Sequence, residues 1–474
     1  MARRIKADIC VIGAGSGGLS VAAGAAQMGA RTVLIERDEM GGDCLNTGCV
    51  PSKALIAAAR QAWRMGAGEA FGIAPAEAKV DFARVHDHVH GVIAKIAPND
   101  SVARFEALGV TVIKDHARFM DGQTVLAGDK EITARRFVIA TGSRPFVPLI
   151  DGLDKVPYHT NETIFSLKEC PGHLIILGGG PIGIELAQAH RRLGAKVTVV
   201  ESAKALGSED PELSAIVIAR LRREGVEIIE DISVTSVAGN ADGVTVTLAA
   251  QQGPQQLEGT HLLIATGRRP NVEGLDLEKA GVDYSEKGLR VDERLRTTNK
   301  RIFGIGDVIG GPQFTHVANY HAGIVIRNAL FRVPAHADHR AIPRVTYTDP
   351  ELAHVGLTES EAQAANMTIN VLRWHLAEND RAQAEHETEG VIKVLTDSHS
   401  RVLGATIVAP QAGELILPWV LAKTEALKLS AMASVVAPYP TFSEISKRAA
   451  GSYYTPTLFS KKTRMLVRFL GLFG

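Results

Sequence analysis

Residues 8–36, DICVIGAGSGGLSVAAGAAQMGARTVLIE, open with a run of β-branched and apolar side chains that stops at a glycine. Small apolar residues follow, and a second apolar run ends at Glu36. Short apolar runs bounded by glycine predict buried strands, and the small-residue stretch between them predicts a helix. Residues 174–201, LIILGGGPIGIELAQAHRRLGAKVTVVE, repeat the plan and end at Glu201. From Pro343 the pattern changes, with strand-like runs (VTYT, VIKVL, VLGATIVA) separated by amphipathic helical segments. That change predicts a third, α+β domain.

The glycines of the two copies fall in register. Gly13, Gly15 and Gly18 in the first, and Gly178, Gly180 and Gly183 in the second, stand in the spacing GxGxxG between strand and helix. In both copies the acid, Glu36 or Glu201, follows the first glycine by 23 positions. Strand, glycines, helix and acid at this offset form a dinucleotide-binding pattern. The glycines allow a tight turn and let a pyrophosphate approach the helix N-terminus, while the acid accepts hydrogen bonds from a ribose diol.

The repeat continues to FVIATGSRP, with Thr141 and Gly142, and to LLIATGRRP, with Thr266 and Gly267. Between these landmarks the first copy is the longer, and its extra length holds residues 41–53, GGDCLNTGCVPSK. Further on, IFGIGDV reads as a strand ending in a Gly-Asp turn that sets Asp307 to meet a polyol or ribose. The expected fold class is α/β, with two Rossmann-like dinucleotide-binding domains plus a C-terminal α+β domain. The expected divisions are 1–150, 151–270, a return to the first domain over 271–340, and 341–474.

Composition narrows the function. A chain of 474 residues suits about three domains at roughly 150 residues each. Lys+Arg and Asp+Glu both number 52, so the basic excess of a nucleic-acid binder is missing. The N-terminus has no secretory pattern, and no window nears the ~18 apolar residues of a membrane helix, so the cytoplasm is expected. Four cysteines in so long a chain do not make a secreted disulfide scaffold. A close pair such as Cys44 and Cys49 reads instead as metal-binding or redox-active. Cys10 falls in a buried strand and Cys170 in a turn before proline, where neither suggests chemistry.

Taken together, GAGSGG, GGDCLNTGCVPSK, GGGPIG, GIGDV and VTYTDPELAHVGLTESEA resemble the motifs of the class I flavin disulfide reductases over nearly the whole chain. That family includes dihydrolipoyl dehydrogenase, glutathione reductase and mercuric reductase. The resemblance implies FAD on the first dinucleotide domain, a nicotinamide dinucleotide on the second, and a homodimer joined by the third. It implies that Cys44 and Cys49 form a redox disulfide, with Cys49 facing the flavin and Cys44 meeting the acceptor. Lys53 would lie near the flavin and pair with Glu185. Glu201 favours NAD over NADP because an acid repels a 2′-phosphate, although Lys204 stands close. A separation of five positions gives about 140° between the two side chains on a regular helix, so a bridge requires a distorted first turn.

One motif departs from the family. Members acting on dithiols carry His-Pro-x-x-x-Glu, whose histidine serves the partner subunit's interchange thiol as acid/base. Here the stretch is YPTFSE, with Tyr439 in the histidine's place and Glu444 retained. A phenol with pKa near 10 is a poor base at neutral pH. Mercuric reductases resemble this chain in carrying tyrosine there, but they add a C-terminal cysteine pair, and this chain has no cysteine after Cys170. The expectation is a mercuric reductase-like enzyme whose acceptor is a small molecule, a disulfide or a soft metal. Dihydrolipoyl dehydrogenase and a flavin-binding redox sensor or membrane-associated adaptor are the alternatives.

His86, His88 and His90 read as a solvated helix and not a metal site, since only His86 and His90 share a face. His316 and His321 are expected near the flavin or in the core. The tail FSKKTRMLVRFLGLFG gathers most of its Leu, Met and Phe on one helical arc and Lys461, Arg464 and Arg468 on another, with Lys462 breaking the pattern. Such a helix could lie on an anionic membrane surface or pack on the partner subunit.

Overall fold

The computed structural model describes residues 3–240, 243–250 and 253–473. Its first sheet has seven strands. At the centre, Arg3–Ile12 runs parallel to Thr32–Glu36 on one side and Lys130–Ile139 on the other. Thr111–Lys114 extends one edge, and an antiparallel pair, Ala117–Asp121 and Thr124–Ala127, extends the other. Ile302–Gly304 returns from far along the chain to pair with Phe137–Ile139, which brings the GIGDV turn beside the first glycine loop. The C-terminal part of Arg3–Ile12, from Ile9 to Ile12, is buried on both faces and needs the unbroken apolar run that the sequence displays there.

A second sheet orders Val226–Ile229, Lys196–Val200, His173–Leu177 and His261–Ile264, all parallel. The third is a five-stranded antiparallel sheet from Arg344–Thr346 to Asn370–His375, covered by helices that include Leu417–Thr424 and Glu444–Ser452. Its core holds Trp419, which donates to Ser446 Oγ at 3.0 Å.

The duplicated Thr-Gly turns dock on each other with near two-fold symmetry. Thr141 donates its hydroxyl to the carbonyl of Asn271 at 2.7 Å, and Thr266 donates to that of Phe146 at 2.8 Å. The Asn271 amide donates to Gly142 and the Phe146 amide to Gly267, both at 2.9 Å. Ser143–Pro145 and Arg268–Pro270 pair antiparallel along this seam. Charge holds the third sheet against the second. Arg192, 3% exposed, lies 2.6 Å from Glu224 and 2.8 Å from Asp349, while buried Lys393 meets Asp210 at 2.7 Å.

Candidate functional site

The two nucleotide loops are built alike, atom for atom. Gly13 and Gly178 have φ of +103° and +110°, open to glycine at little cost. A Cβ on Gly18 would stand 1.9 Å from the Gly13 carbonyl oxygen, and one on Gly183 would stand 2.0 Å from that of Gly178. These third glycines let helix press on strand. By contrast, a Cβ on Gly15 or Gly180 would meet nothing within 4 Å, so each turn faces open space at its helix N-terminus. An uncrowded N-terminus of this kind suits a pyrophosphate. Glu36 accepts from the Ala14 amide at 2.5 Å and the Asp38 amide at 2.7 Å, and Glu201 from the Gly179 amide at 2.7 Å and the Ala203 amide at 2.9 Å. Each carboxylate is thereby anchored beside its open turn with lone pairs left for ribose hydroxyls. The residues fit two dinucleotides.

Thr141, Gly142 and Gly267, expected at the nucleotides, take part in the interdomain seam. Asp307 sits in the turn Gly306–Ile309, where the Ser143 hydroxyl donates to it at 2.6 Å and burial pushes its carboxyl above the usual range. The Gly306 amide donates to His321 Nδ1 at 3.2 Å, which fixes that tautomer; Nε2 faces His339 at 2.7 Å. Burial pulls His321 down to about 4, so it stays neutral and braces the turn. His316 approaches the Pro343 carbonyl at 2.9 Å. The His86 and His90 rings lie 4.2 Å apart on the helix Phe82–Ile96.

The cysteine motif folds differently from a single distorted turn. Cys44 lies in a short helix, Gly42–Asn46, and Cys49 opens a second, Cys49–Gly66. Thr47 and Gly48 break the chain between them. A Cβ on Gly48 would stand 2.8 Å from the Asp43 carbonyl oxygen, so only glycine allows this close return. Breaking the helix releases the thiols from the angular offset of a regular helix, and as free thiols each perturbs the other's titration. Cys49 is pulled down to about 6, first by the hydrogen bond from Cys44, then by Thr315 and Lys53, against burial and Asp43. Cys44 moves up, because it keeps the proton of the pair. The helix N-terminus at Cys49 favours the same charge on the same sulfur.

Lys53 lies one turn on. Its ammonium donates to Glu185 at 2.9 Å and sits 4.2 Å over the Tyr347 ring. Burial pulls it down, but Glu185 more than offsets this, so Lys53 stays charged. Glu185 also accepts from the Tyr347 amide at 2.9 Å. One carboxylate therefore joins the cysteine helix, the second nucleotide helix Pro181–Arg192 and the third domain. Tyr439 and Glu444 belong to the third domain, where Tyr439 is 69% exposed and donates to Asp380 at 2.8 Å. Among the described residues no hydrogen bond joins Tyr439 to Cys44 or Cys49 of its own chain.

Sequence reasoning missed several neighbours of the thiols. Thr315 Oγ1 lies 3.6 Å from Cys49 Sγ. Asn161 donates to Asp43 at 2.8 Å, Thr47 donates to Asp43 at 2.7 Å, and Arg268 lies 3.1 Å from Asp43. Asp43 and Tyr347 lie inside quoted motifs and Arg268 directly follows Gly267, so position marked them; nothing local marked Thr315 or Asn161.

Two nucleotide cradles, a close pair of thiols and a separate α+β domain define a class. The pyridine nucleotide-disulphide oxidoreductase profile matches residues 7–322, and that family's dimerisation domain matches residues 342–450. The chain belongs to this family, and so is an FAD-dependent oxidoreductase that uses NAD(P) and forms a homodimer. It is 36% identical over 454 residues to a mercuric reductase of Streptomyces lividans, covering 94% of this chain and 96% of that protein. It is 34% identical over 454 residues to a dihydrolipoyl dehydrogenase of Geobacillus stearothermophilus, with the same coverages. The Cu(II) complex of the HOCl-induced flavoprotein disulfide reductase RclA from Escherichia coli superposes with a TM-score of 0.84 at 30% identity, over 93% of this chain and 98% of that one. LpdA from Mycobacterium tuberculosis gives 0.85 at 28% identity, over 95% and 99%.

Proposed function

We propose that this enzyme uses Cys44 and Cys49 as its redox pair and delivers two electrons from them to a small-molecule acceptor or a thiophilic metal ion. The low-lying thiol of Cys49, hydrogen-bonded to Cys44 beside the charged Lys53, carries the reading. FAD, when bound, supplies two-electron exchange between the nicotinamide and these sulfurs. The chain does the rest. The turns at Gly15 and Gly180 admit the pyrophosphates, and Glu36, Glu201 and Asp307 receive the sugar hydroxyls. Lys53, held by Glu185, keeps a positive charge beside Cys49. Oxidation of the thiol–thiolate pair forms one S–S bond and releases two electrons and the one proton that Cys44 keeps; reduction reverses this. Residues 1–150 and 271–340 form the FAD unit in this reading, 151–270 the nicotinamide unit and 341–474 the interface unit.

NAD fits better than NADP. Glu201 opposes a 2′-phosphate, and Lys204, the nearby cation, is already paired with Asp231. Tyr439 speaks against a dithiol substrate. Its hydroxyl donates to Asp380, which holds the phenol above its ordinary range and unable to serve as a base. In the dimer Tyr439 and Glu444 belong to the partner's acceptor site, as a hydrogen-bonding phenol and its support. The Cu(II) complex of the Escherichia coli relative supports a metal ion among the acceptors. The C-terminal tail adds contact with a membrane surface: the helix Lys461–Leu470 buries none of its residues.

An anaerobic NADH titration followed by an acceptor panel tests the reading. Hg(II) or Cu(II), or a quinone, should turn over at least about a hundredfold faster than lipoamide, the size of effect expected of a missing general base. Fast lipoamide turnover in both directions would establish the dihydrolipoyl dehydrogenase alternative, and Cys49→Ser with undiminished turnover would end the redox-pair assignment.

A further inference from the structure

The two duplicated Thr-Gly turns are followed by different residues, Ser143 and Arg268, and these meet across the seam. Arg268 has a side chain only 12% exposed. Its Nε donates to the Ser143 hydroxyl at 2.7 Å, and Nη2 donates to the Ser143 carbonyl at 3.1 Å. Ser143 passes its own hydroxyl hydrogen to Asp307, 3.9 Å from Arg268 Nε. The other contact of Nη2 is Asp43 Oδ2, at 3.1 Å. Asp43 directly precedes Cys44, in the first turn of its short helix.

The remaining Asp43 oxygen is also held. Oδ1 accepts from Thr47 and from Asn161, which donates to the Thr47 carbonyl as well, at 3.1 Å. Arg268 completes the ring through a longer contact with Asn161 Oδ1 at 3.4 Å. The break at Thr47 and Gly48, which lets the sulfurs meet, is therefore laced to the second nucleotide unit. Charge makes the lacing consequential. A carboxylate this close repels negative charge on both sulfurs and opposes thiolate formation at either one. A guanidinium against that carboxylate offsets the repulsion, and a planar donor fork holds its geometry.

We propose that Arg268 is a positioning residue for the dithiol: it clasps Asp43, fastens the Cys44–Cys49 loop to the second dinucleotide unit and offsets the carboxylate charge beside the sulfurs. This rests on the reading of Cys44 and Cys49 as the redox pair. It gives the nucleotide side of the enzyme a direct mechanical and electrostatic hold on the thiols, through a side chain that touches neither of them.

The test is alkylation of the reduced, FAD-loaded dimer with iodoacetamide from about pH 5 to about pH 9, the span over which perturbed thiols titrate. Modified cysteines are mapped by mass spectrometry. Arg268→Met should slow modification of Cys49 at neutral pH by about threefold or more and move its midpoint upward, as an unshielded carboxylate requires. Asp43→Asn alone should move the midpoint downward. Asp43→Asn placed on Arg268→Met should restore the rate to within about twofold of the original, the non-additivity that marks a coupled pair. A purely structural role would leave the double variant as slow as Arg268→Met, and that result overturns the proposal. So does an Arg268→Met profile that matches the original. Should Arg268→Met fail to fold, the Asp43→Asn midpoint decides, and an unchanged or raised value overturns the proposal. These readouts need no turnover, so they stay separate from the Cys49→Ser test of the redox pair.

Discussion

Cys49 combines three local influences of one sign: it opens a helix, faces the Lys53 ammonium and receives a hydrogen bond from Cys44. Each favours a thiolate, and together they outweigh burial and the Asp43 carboxylate. The sign for reactivity follows. The thiolate is the nucleophile, so alkylation of Cys49 in the reduced protein should rise as pH passes through about 6 and level off above it. A midpoint in the ordinary thiol range near 8.5 would refute this. Lys53 owes its standing charge to Glu185, and Glu185 also anchors the Tyr347 amide. The Lys53–Glu185 pairing is written in no local sequence window, because 132 positions separate the two residues, and only the family resemblance anticipated it.

At the scale of elements, the GxGxxG turns assign a separate task to each glycine. The third packs helix on strand, while the second leaves room for a ligand. Gly18→Ala would press a methyl to 1.9 Å from a fixed carbonyl, so the helix must shift. Overpacking of that kind costs about 1–3 kcal/mol. Gly15→Ala meets no protein atom and should leave the folded apoprotein's thermal midpoint nearly unchanged while weakening FAD retention. Thermal melts with and without added FAD check both. Equal effects of the two substitutions would contradict this division of labour. These turns were legible because a glycine requirement is set by backbone geometry within one strand–turn–helix unit. The cysteine motif was legible as a motif, yet its two-helix shape was not, since the break depends on the close return of Gly48 to Asp43.

For the whole molecule, three sheets meet around one site, and the domain of the third carries Tyr439 and Glu444, the residues proposed to serve the partner subunit's site. Past the dimerisation match at 450, the chain carries four Lys or Arg on the helix Lys461–Leu470 and no acid. Met465, Leu466, Val467, Phe469 and Leu470 are all exposed there. No helix among the described residues is long and apolar enough to cross a membrane, so this tail would lie on a surface. The full-length dimer should co-sediment with vesicles containing anionic lipid, at least about tenfold more than with neutral vesicles or in high salt, as charge-assisted adsorption requires. Leu466→Glu with Leu470→Glu should abolish this and leave the dimer intact. If the substitutions instead produce monomers, the helix packs on the partner subunit and the membrane reading falls.

The sequence by itself determined the duplicated strand–glycine–helix–acid units, the cysteine pair, the α+β third domain and the family. Each is written within a few dozen consecutive residues, where periodicity and backbone constraint act locally. Only the tertiary structure decided that Thr141 and Thr266 close a seam, that Glu185 joins three parts of the chain, and that Arg268 reaches Asp43. Those contacts come from docking whole units against one another, and no local pattern encodes which buried charges will meet when they do.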